Sequence, residues 1–94
     1  SDLNPGSCYS QSIPLIFALA ALYMKLSFAE TLTALTLNGA AALGRAASIG
    51  SIEPGKRADF LLLEAPEASH LAYNVGMNLV GKVFKNGVCA YERA

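Results

Sequence analysis

The residues best suited to chemistry crowd the start of the chain. Asp2, Asn4, Gly6 and Ser7 bring a carboxylate, a carboxamide, bare backbone and a hydroxyl into the run Ser-Asp-Leu-Asn-Pro-Gly-Ser. A carboxylate placed where a strand gives out into a loop can ligate a metal or take a proton from metal-bound water. Asn4, Gly6 and Ser7 together suit a small anion or polar ligand. Gly lets backbone approach closely, Asn offers two donors and an acceptor, and Ser adds a hydroxyl. The same residues are also turn formers, and Asp2 can simply start an Asx-turn into Asn4-Pro5-Gly6. Local sequence leaves both uses open.

Elsewhere catalytic groups are sparse. His70 is the only histidine, whereas hydrolytic metal sites usually draw on several nitrogen and oxygen ligands. It reads as an ordinary packing or surface residue. Asp59 lies just inside an expected strand, where Asp is depleted, and is expected to bond backbone amides of the preceding turn. Cys8 and Cys89 form no CxxC or CxxH spacing, so they make neither a metal motif nor a disulfide scaffold, and a reduced cytoplasmic protein is expected. No GxSxG, Walker loop or dinucleotide-binding glycine pattern is present. The chain alone does not contain a complete active site.

The elements that must position the loop follow from pattern. Strand end, polar loop, then helix is how α/β barrels present chemistry, with catalytic groups where strands run out. On that reading the chain begins at the last barrel strand and carries the final part of a larger enzyme. A helix is predicted over residues 12–25, capped by Ser10 or Ser12, with Pro14 in the first turn. Leu15, Ile16, Phe17, Leu19, Leu22 and Tyr23 cover most of its circumference, which predicts burial on more than one side. Ser27 and Glu30 form a capping box for a second helix. It should run to about Leu37, break or bend near Asn38-Gly39, and finish in an Ala-rich turn capped by Gly44. Past Ala47 the period changes. Pro54-Gly55 favours a type II turn, and residues 58–63 read as a buried strand stopped by Pro66. Residues 67–73 suit one or two helical turns. Residues 80–84 and 88–91 read as a hairpin, because Asn86-Gly87 supplies positive φ. A helical part, 1–47, thus precedes a mostly β part, 48–94.

Composition narrows the class. Seven basic residues balance seven acidic ones with no basic cluster, so no nucleic-acid partner is expected. Of the 94 residues 53% are hydrophobic and only 15% charged, more apolar surface than so short a chain easily buries. A membrane span is not expected, since the longest apolar run, 15–24, is half of the roughly 20 residues required. Nor does a positive segment precede it, as a secretory signal would need. Missing partner surface explains the excess better, either another chain or more of the same protein. A homo-oligomer is expected.

Several motifs resemble one family. Gly50-Ser51-Ile52-Glu53-Pro54-Gly55-Lys56-Arg57-Ala58-Asp59 is similar to the G-x-I-x-x-G-K-x-A-D segment that begins the closing β-domain of amidohydrolase-superfamily enzymes. Thr36, Asn38, Ala40 and Leu43-Gly44 match the T-x-N-x-A-x-x-L-G helix that precedes it. Val83 to Gly87 resembles the family's terminal V-x-x-x-G hairpin. Asp2-Leu3-Asn4-Pro5-Gly6-Ser7 resembles the D-x-N-P-G-S loop of one branch, a cyclic-amide hydrolase of histidine degradation, and the run from Glu64 to Asn78 fits the same branch.

The resemblance implies an α/β fold: the C-terminal piece of a metal-dependent TIM barrel, last strand stub plus helices, in 1–47, then part of a small β-sandwich in 48–94. It implies hydrolysis of 4-imidazolone-5-propanoate, a small-molecule substrate, to N-formimino-L-glutamate. Asp2 would ligate a single catalytic zinc or iron and handle the proton of its bound water. Asn4 and Gly6 would hold the propionate or ring of the substrate, and Ser7 would complete that pocket. The family's H-x-H pair, later histidines and acid/base residues are absent here, so the fragment should not hold the metal alone. Two rivals are another amidohydrolase, such as a deaminase or dihydroorotase relative, and a non-enzymatic helical/β interaction module. The Asn4-Pro5-Gly6-Ser7 continuation favours the cyclic-amide branch over other amidohydrolases.

Overall fold

A computed structural model describes residues 1–94. The first helix, α1, spans Ile13–Ala18 and is prolonged by a π-helical segment, Leu19–Tyr23. Ser12 caps it, its hydroxyl accepting the Leu15 N–H at 3.3 Å, with Pro14 in the first turn. In α2, Phe28–Thr33, the capping box is complete: the Glu30 N–H reaches Ser27 Oγ at 3.1 Å, and the Ser27 N–H reaches Glu30 Oε1 at 3.0 Å. The backbone hydrogen bond from Ser27 chiefly holds the Glu30 carboxyl below its ordinary pKa.

Of the break or bend expected near Asn38-Gly39, the break does not occur. A second π-helical segment, Ala34–Asn38, runs straight into α3, Gly39–Ala42, and Asn38 and Gly39 both keep helical φ and ψ. Glycine permits a break without imposing one, while each added helical residue gains a hydrogen bond. Termination comes at Gly44, with φ 71°. There the Arg45 N–H bonds the Ala40 carbonyl at 2.8 Å and the Gly44 N–H bonds that of Ala41 at 2.9 Å, a Schellman pair.

Three strands follow: β1 (Phe60–Leu63), β2 (Val80–Lys85) and β3 (Val88–Glu92), antiparallel in the order β1-β2-β3. Asn86 and Gly87 have φ of 51° and 77°, the pair of positive values that a type I′ hairpin turn needs. Phe60 pairs with Phe84, and their rings stack 4.6 Å apart. A short helix, α4 (His70–Tyr73), lies in the connection from β1 to β2 and packs on α1.

Two of the motifs meet in space. Gly50, at φ 96°, lies so close to the helix that a Cβ there would stand 2.8 Å from the Ala40 Cβ and 3.0 Å from the Leu37 Cα. The turn opening the β half is thereby seated on the helix ending the first half, and Ala40 is buried beneath it.

Burial is scarce. Only Phe17, Ala18, Thr31, Ala40, Leu79 and Gly81 are buried. Two burial expectations therefore fail. Leu22 and Tyr23 are 52% and 76% exposed on the helix expected to be covered on several sides, and in β1 Leu61 and Leu62 are also exposed. A sheet face needs a second layer to cover it, and this chain supplies none there. The accessible surface is 6562 Å², against about 5,200 Å² for a compact monomer of this mass. The radius of gyration, 13.9 Å, likewise exceeds the ~12.4 Å expected for this length. About 1,400 Å² of surface is thus left over, by the same scaling. No helix is long and apolar enough to cross a membrane. The architecture is a small α/β assembly of helices and one three-stranded antiparallel sheet. The expected strand stub is not formed: Asp2 has φ 53°, and Asn4 makes only an isolated bridge to Cys8. A lone strand with no neighbour leaves its ladder groups unpaired.

Candidate functional site

One side chain organises the N-terminal loop. Asn4 Oδ1 accepts the Gly6 N–H at 2.9 Å and the Ser7 N–H at 2.8 Å. Asn4 Nδ2 donates to the Asp2 carbonyl at 2.7 Å and to Ser7 Oγ at 3.2 Å. The main chain closes the loop, with the Asn4 N–H on the Cys8 carbonyl at 2.8 Å. The Asx-turn is therefore centred on Asn4, not on Asp2. Gly6 lies close to the same oxygen: a Cβ there would stand 3.2 Å from Asn4 Oδ1, a tight contact.

Asp2, Asn4, Gly6 and Ser7 are thus brought together as one loop, with the Asp2 side chain exposed. Beside it opens a cavity of about 410 Å³ lined by Leu3, Asn4, Pro5, Tyr9 and Gln11. Sequence reasoning missed Tyr9 and Gln11. The only available signal was their place between the loop and the cap of α1.

The other polar residues singled out by sequence lie in the remaining elements. His70 is on α4, edge-on to Tyr73 with ring centres 6.1 Å apart. Asp59 does bond a turn, but not the preceding one. Its carboxylate takes the Asn86 N–H at 2.9 Å and Lys85 Nζ at 2.6 Å, with Arg57 Nε at 3.9 Å. The antiparallel pairing of Phe60 with Phe84 sets the mouth of β1 beside the hairpin turn, which explains the partner. The Lys85 hydrogen bond chiefly holds the Asp59 carboxyl below its ordinary pKa. Ser51, Glu53 and Lys56 make a second polar knot, with Lys56 Nζ 2.6 Å from Ser51 Oγ and 3.1 Å from Glu53 Oε2. Its hydrogen bond from Ser51 chiefly lowers the Glu53 pKa.

No three His, Cys, Asp or Glu side chains are gathered so as to hold a metal ion. A catalytic metal commonly takes three protein ligands, and this loop offers one carboxylate. By themselves the residues of this chain do not fit a metal site.

A helix-borne T-x-N-x-A-x-x-L-G segment docked against the G-x-I-x-x-G-K turn, with a polar loop before the helices, defines the class. Residues 6–89 match the amidohydrolase family, and the chain belongs to it. Within that family it is similar to curated imidazolonepropionases. That of Porphyromonas gingivalis is 58% identical over all 94 residues of this chain and 22% of its own length. That of Parabacteroides distasonis is 62% identical over 87 residues, 93% of this chain and 21% of the relative. That of Clostridium tetani is 50% identical over all 94 residues, again 22% of the relative. The chain therefore spans about a fifth of the length of the curated relatives it matches. The family match begins at Gly6, but the first and third of these relatives align from Ser1, through Asp2 and Asn4.

Proposed function

We propose that the chain is part of an imidazolonepropionase, which adds water across a ring C–N bond of 4-imidazolone-5-propanoate to give N-formimino-L-glutamate. The observation that carries this reading is identity of 50–58% with imidazolonepropionases over alignments that span all 94 residues. Residues 1–47 are assigned to the end of the (β/α)8 barrel and residues 48–94 to part of a β-sandwich. The change from helices to antiparallel sheet after the Gly44 cap supports that division. Asp2 is the one ligand this chain offers to a zinc or iron centre, and its exposure leaves it free for groups outside the chain. The same carboxylate is assigned the proton of the attacking water. The Asn4–Ser7 loop forms the wall that receives the polar portion of the substrate. Cys8 and Cys89 are both free thiols, consistent with a reducing cytoplasm. The uncovered surface suits both the remainder of the protein and a homo-oligomer.

The test is made on the full-length protein with 4-imidazolone-5-propanoate, together with a metal analysis. Turnover that is lost in Asp2→Ala, along with bound metal, is the expected result. A full-length protein that binds metal yet leaves this substrate unchanged would move the assignment to another amidohydrolase. Unchanged activity in Asp2→Ala would remove Asp2 from the site.

A further inference from the structure

Besides the Gly50 turn, a second bridge joins the β half to the helices. It is the connection from β1 to β2, residues 64–79, whose α4 packs on α1. Its ends meet: the Glu64 N–H bonds the Leu79 carbonyl at 2.7 Å, and Leu79 is buried. Between them the chain turns on itself, with the Asn74 N–H on the His70 carbonyl at 2.8 Å and the Met77 N–H on that of Asn74 at 3.1 Å. A surface segment with joined ends and internal turns is an Ω-loop, a form often put to functional use.

Arg93, just beyond β3, spans the mouth of this loop. Its Nη1 donates to Glu64 Oε2 at 2.9 Å and its Nη2 to the Asn78 carbonyl at 2.6 Å. Its own N–H is tied to the Gly81 carbonyl of β2 at 2.8 Å. One planar guanidinium thus grips both ends of the loop from a fixed point on the sheet, a fork that a lysine does not reproduce. Gly81 keeps the path clear. A Cβ there would stand 2.8 Å from Glu64 Cγ and 3.2 Å from its Oε1, so the Glu64 side chain lies across the β2 backbone on its way to Arg93.

Exposure decides where this clamp acts. The Arg93 and Glu64 side chains are 33% and 53% exposed, and ion pairs so open to water add little to global stability. Local opening of the loop is a separate event, and parting its ends breaks one or both guanidinium bonds.

We propose that Arg93 is a positioning residue. By clamping Glu64 to the Asn78 carbonyl it holds the 64–79 loop closed, keeps α4 seated on α1, and so steadies the helix into which the polar N-terminal loop runs. The catalytic consequence rests on the reading of that N-terminal loop as part of a hydrolase site.

The experiment uses the full-length protein and the variants Arg93→Ala, Glu64→Ala, Glu64→Gln and Arg93→Ala/Glu64→Ala, compared by hydrogen exchange and steady-state kinetics. Arg93→Ala should speed exchange of the peptide 64–79 about 10-fold, the worth of one hydrogen bond to a charged group. Exchange in α1 should quicken with it, while the turn at Asn86-Gly87 keeps its wild-type rate. Glu64→Gln retains a side-chain oxygen for Arg93 and should stay near wild type, whereas Glu64→Ala should follow Arg93→Ala. The double variant should exchange little faster than Arg93→Ala, because the two groups act in one contact. In Arg93→Ala, kcat should fall by up to about 10-fold with KM little changed, since the variant misplaces groups and removes no contact to substrate.

Wild-type exchange of 64–79 in Arg93→Ala would show that the clamp does not close the loop, and would overturn the proposal. A loop that opens while α1 or kcat stays as in wild type would overturn it too, because nothing would then pass from α4 to the site. If the wild-type protein does not turn over 4-imidazolone-5-propanoate, the proposed activity fails. Exchange of 64–79 and of α1 still decides the role of Arg93 in that case.

Discussion

Gly50→Ala is the sharpest mechanical test of how the two halves of the chain are joined. Gly50 adopts φ 96°, and an added Cβ would lie 2.8 Å from the Ala40 Cβ, 3.0 Å from the Leu37 Cα and 3.2 Å from the Thr36 carbonyl oxygen. Two costs follow. Placing a side chain in left-handed backbone costs about 1–2 kcal/mol. Forcing an extra methyl into a filled space costs about 1–3 kcal/mol more, because two of the three obstructing atoms are backbone and cannot rotate away. The sum is roughly 2–5 kcal/mol. The structure supplies its own control. Gly55 adopts φ 89° with no atom within 4 Å of its would-be Cβ, so Gly55→Ala meets the first cost alone. The assay is urea denaturation of the full-length protein and the two variants under identical conditions. Gly50→Ala should unfold at the lower urea concentration. The gap should correspond to about 1–3 kcal/mol once multiplied by the measured slope. Equal midpoints would show that the turn is not seated on the helix at Ala40, and the reasoning would fail.

Three further outcomes are expected. Asp59→Asn should weaken the anchoring of the hairpin turn, because it trades an ion pair with Lys85 for a neutral bond, and faster hydrogen exchange at Asn86 and Gly87 would report it. The Asp59 pKa is lower folded than unfolded, so the unfolded chain binds its proton first as pH falls. The stabilisation is therefore complete above the ordinary value of 3.8 and is lost as pH drops through the lower folded pKa; acid titration of wild type against Asp59→Asn should show the two converging there, and parallel curves would contradict it. The 94-residue chain on its own, with about 1,400 Å² of surplus surface by size scaling, should self-associate, and sedimentation as a single well-folded monomer would count against that.

What could be read from sequence was set by how local its cause is. The Ser27–Glu30 capping box, the Gly44 cap and the Asn86-Gly87 turn each depend on a few adjacent residues, and each is formed. The failures share the opposite property. Burial of Leu22, Tyr23, Leu61 and Leu62 depends on surface that these residues cannot supply for one another, so an apolar pattern predicted a partner without containing it. The partner of Asp59 lies 27 residues away at Asn86, across an antiparallel ladder whose register no short window reveals. Asn38-Gly39 failed for a different reason: composition shows what a backbone is permitted to do, and the helix on both sides decided what it did.

The candidate site divides along the same line. Every hydrogen bond that shapes the Asp2–Cys8 loop begins and ends within the first eight residues, so the loop's geometry is a property of this short piece. A metal centre is the reverse case, since it needs ligands converging from several strands, and no such group is gathered here. The loop can therefore be preformed while the chemistry is not. This asymmetry gives Asn4 its importance. Within this chain the Asn4 carboxamide ties the Asp2 carbonyl to the Ser7 amide and hydroxyl and keeps the two residues in fixed relation. Loss of Asn4 should consequently be felt at both residues at once, whereas loss of Ser7 leaves the Asn4 contacts to Asp2, Gly6 and the Ser7 amide in place.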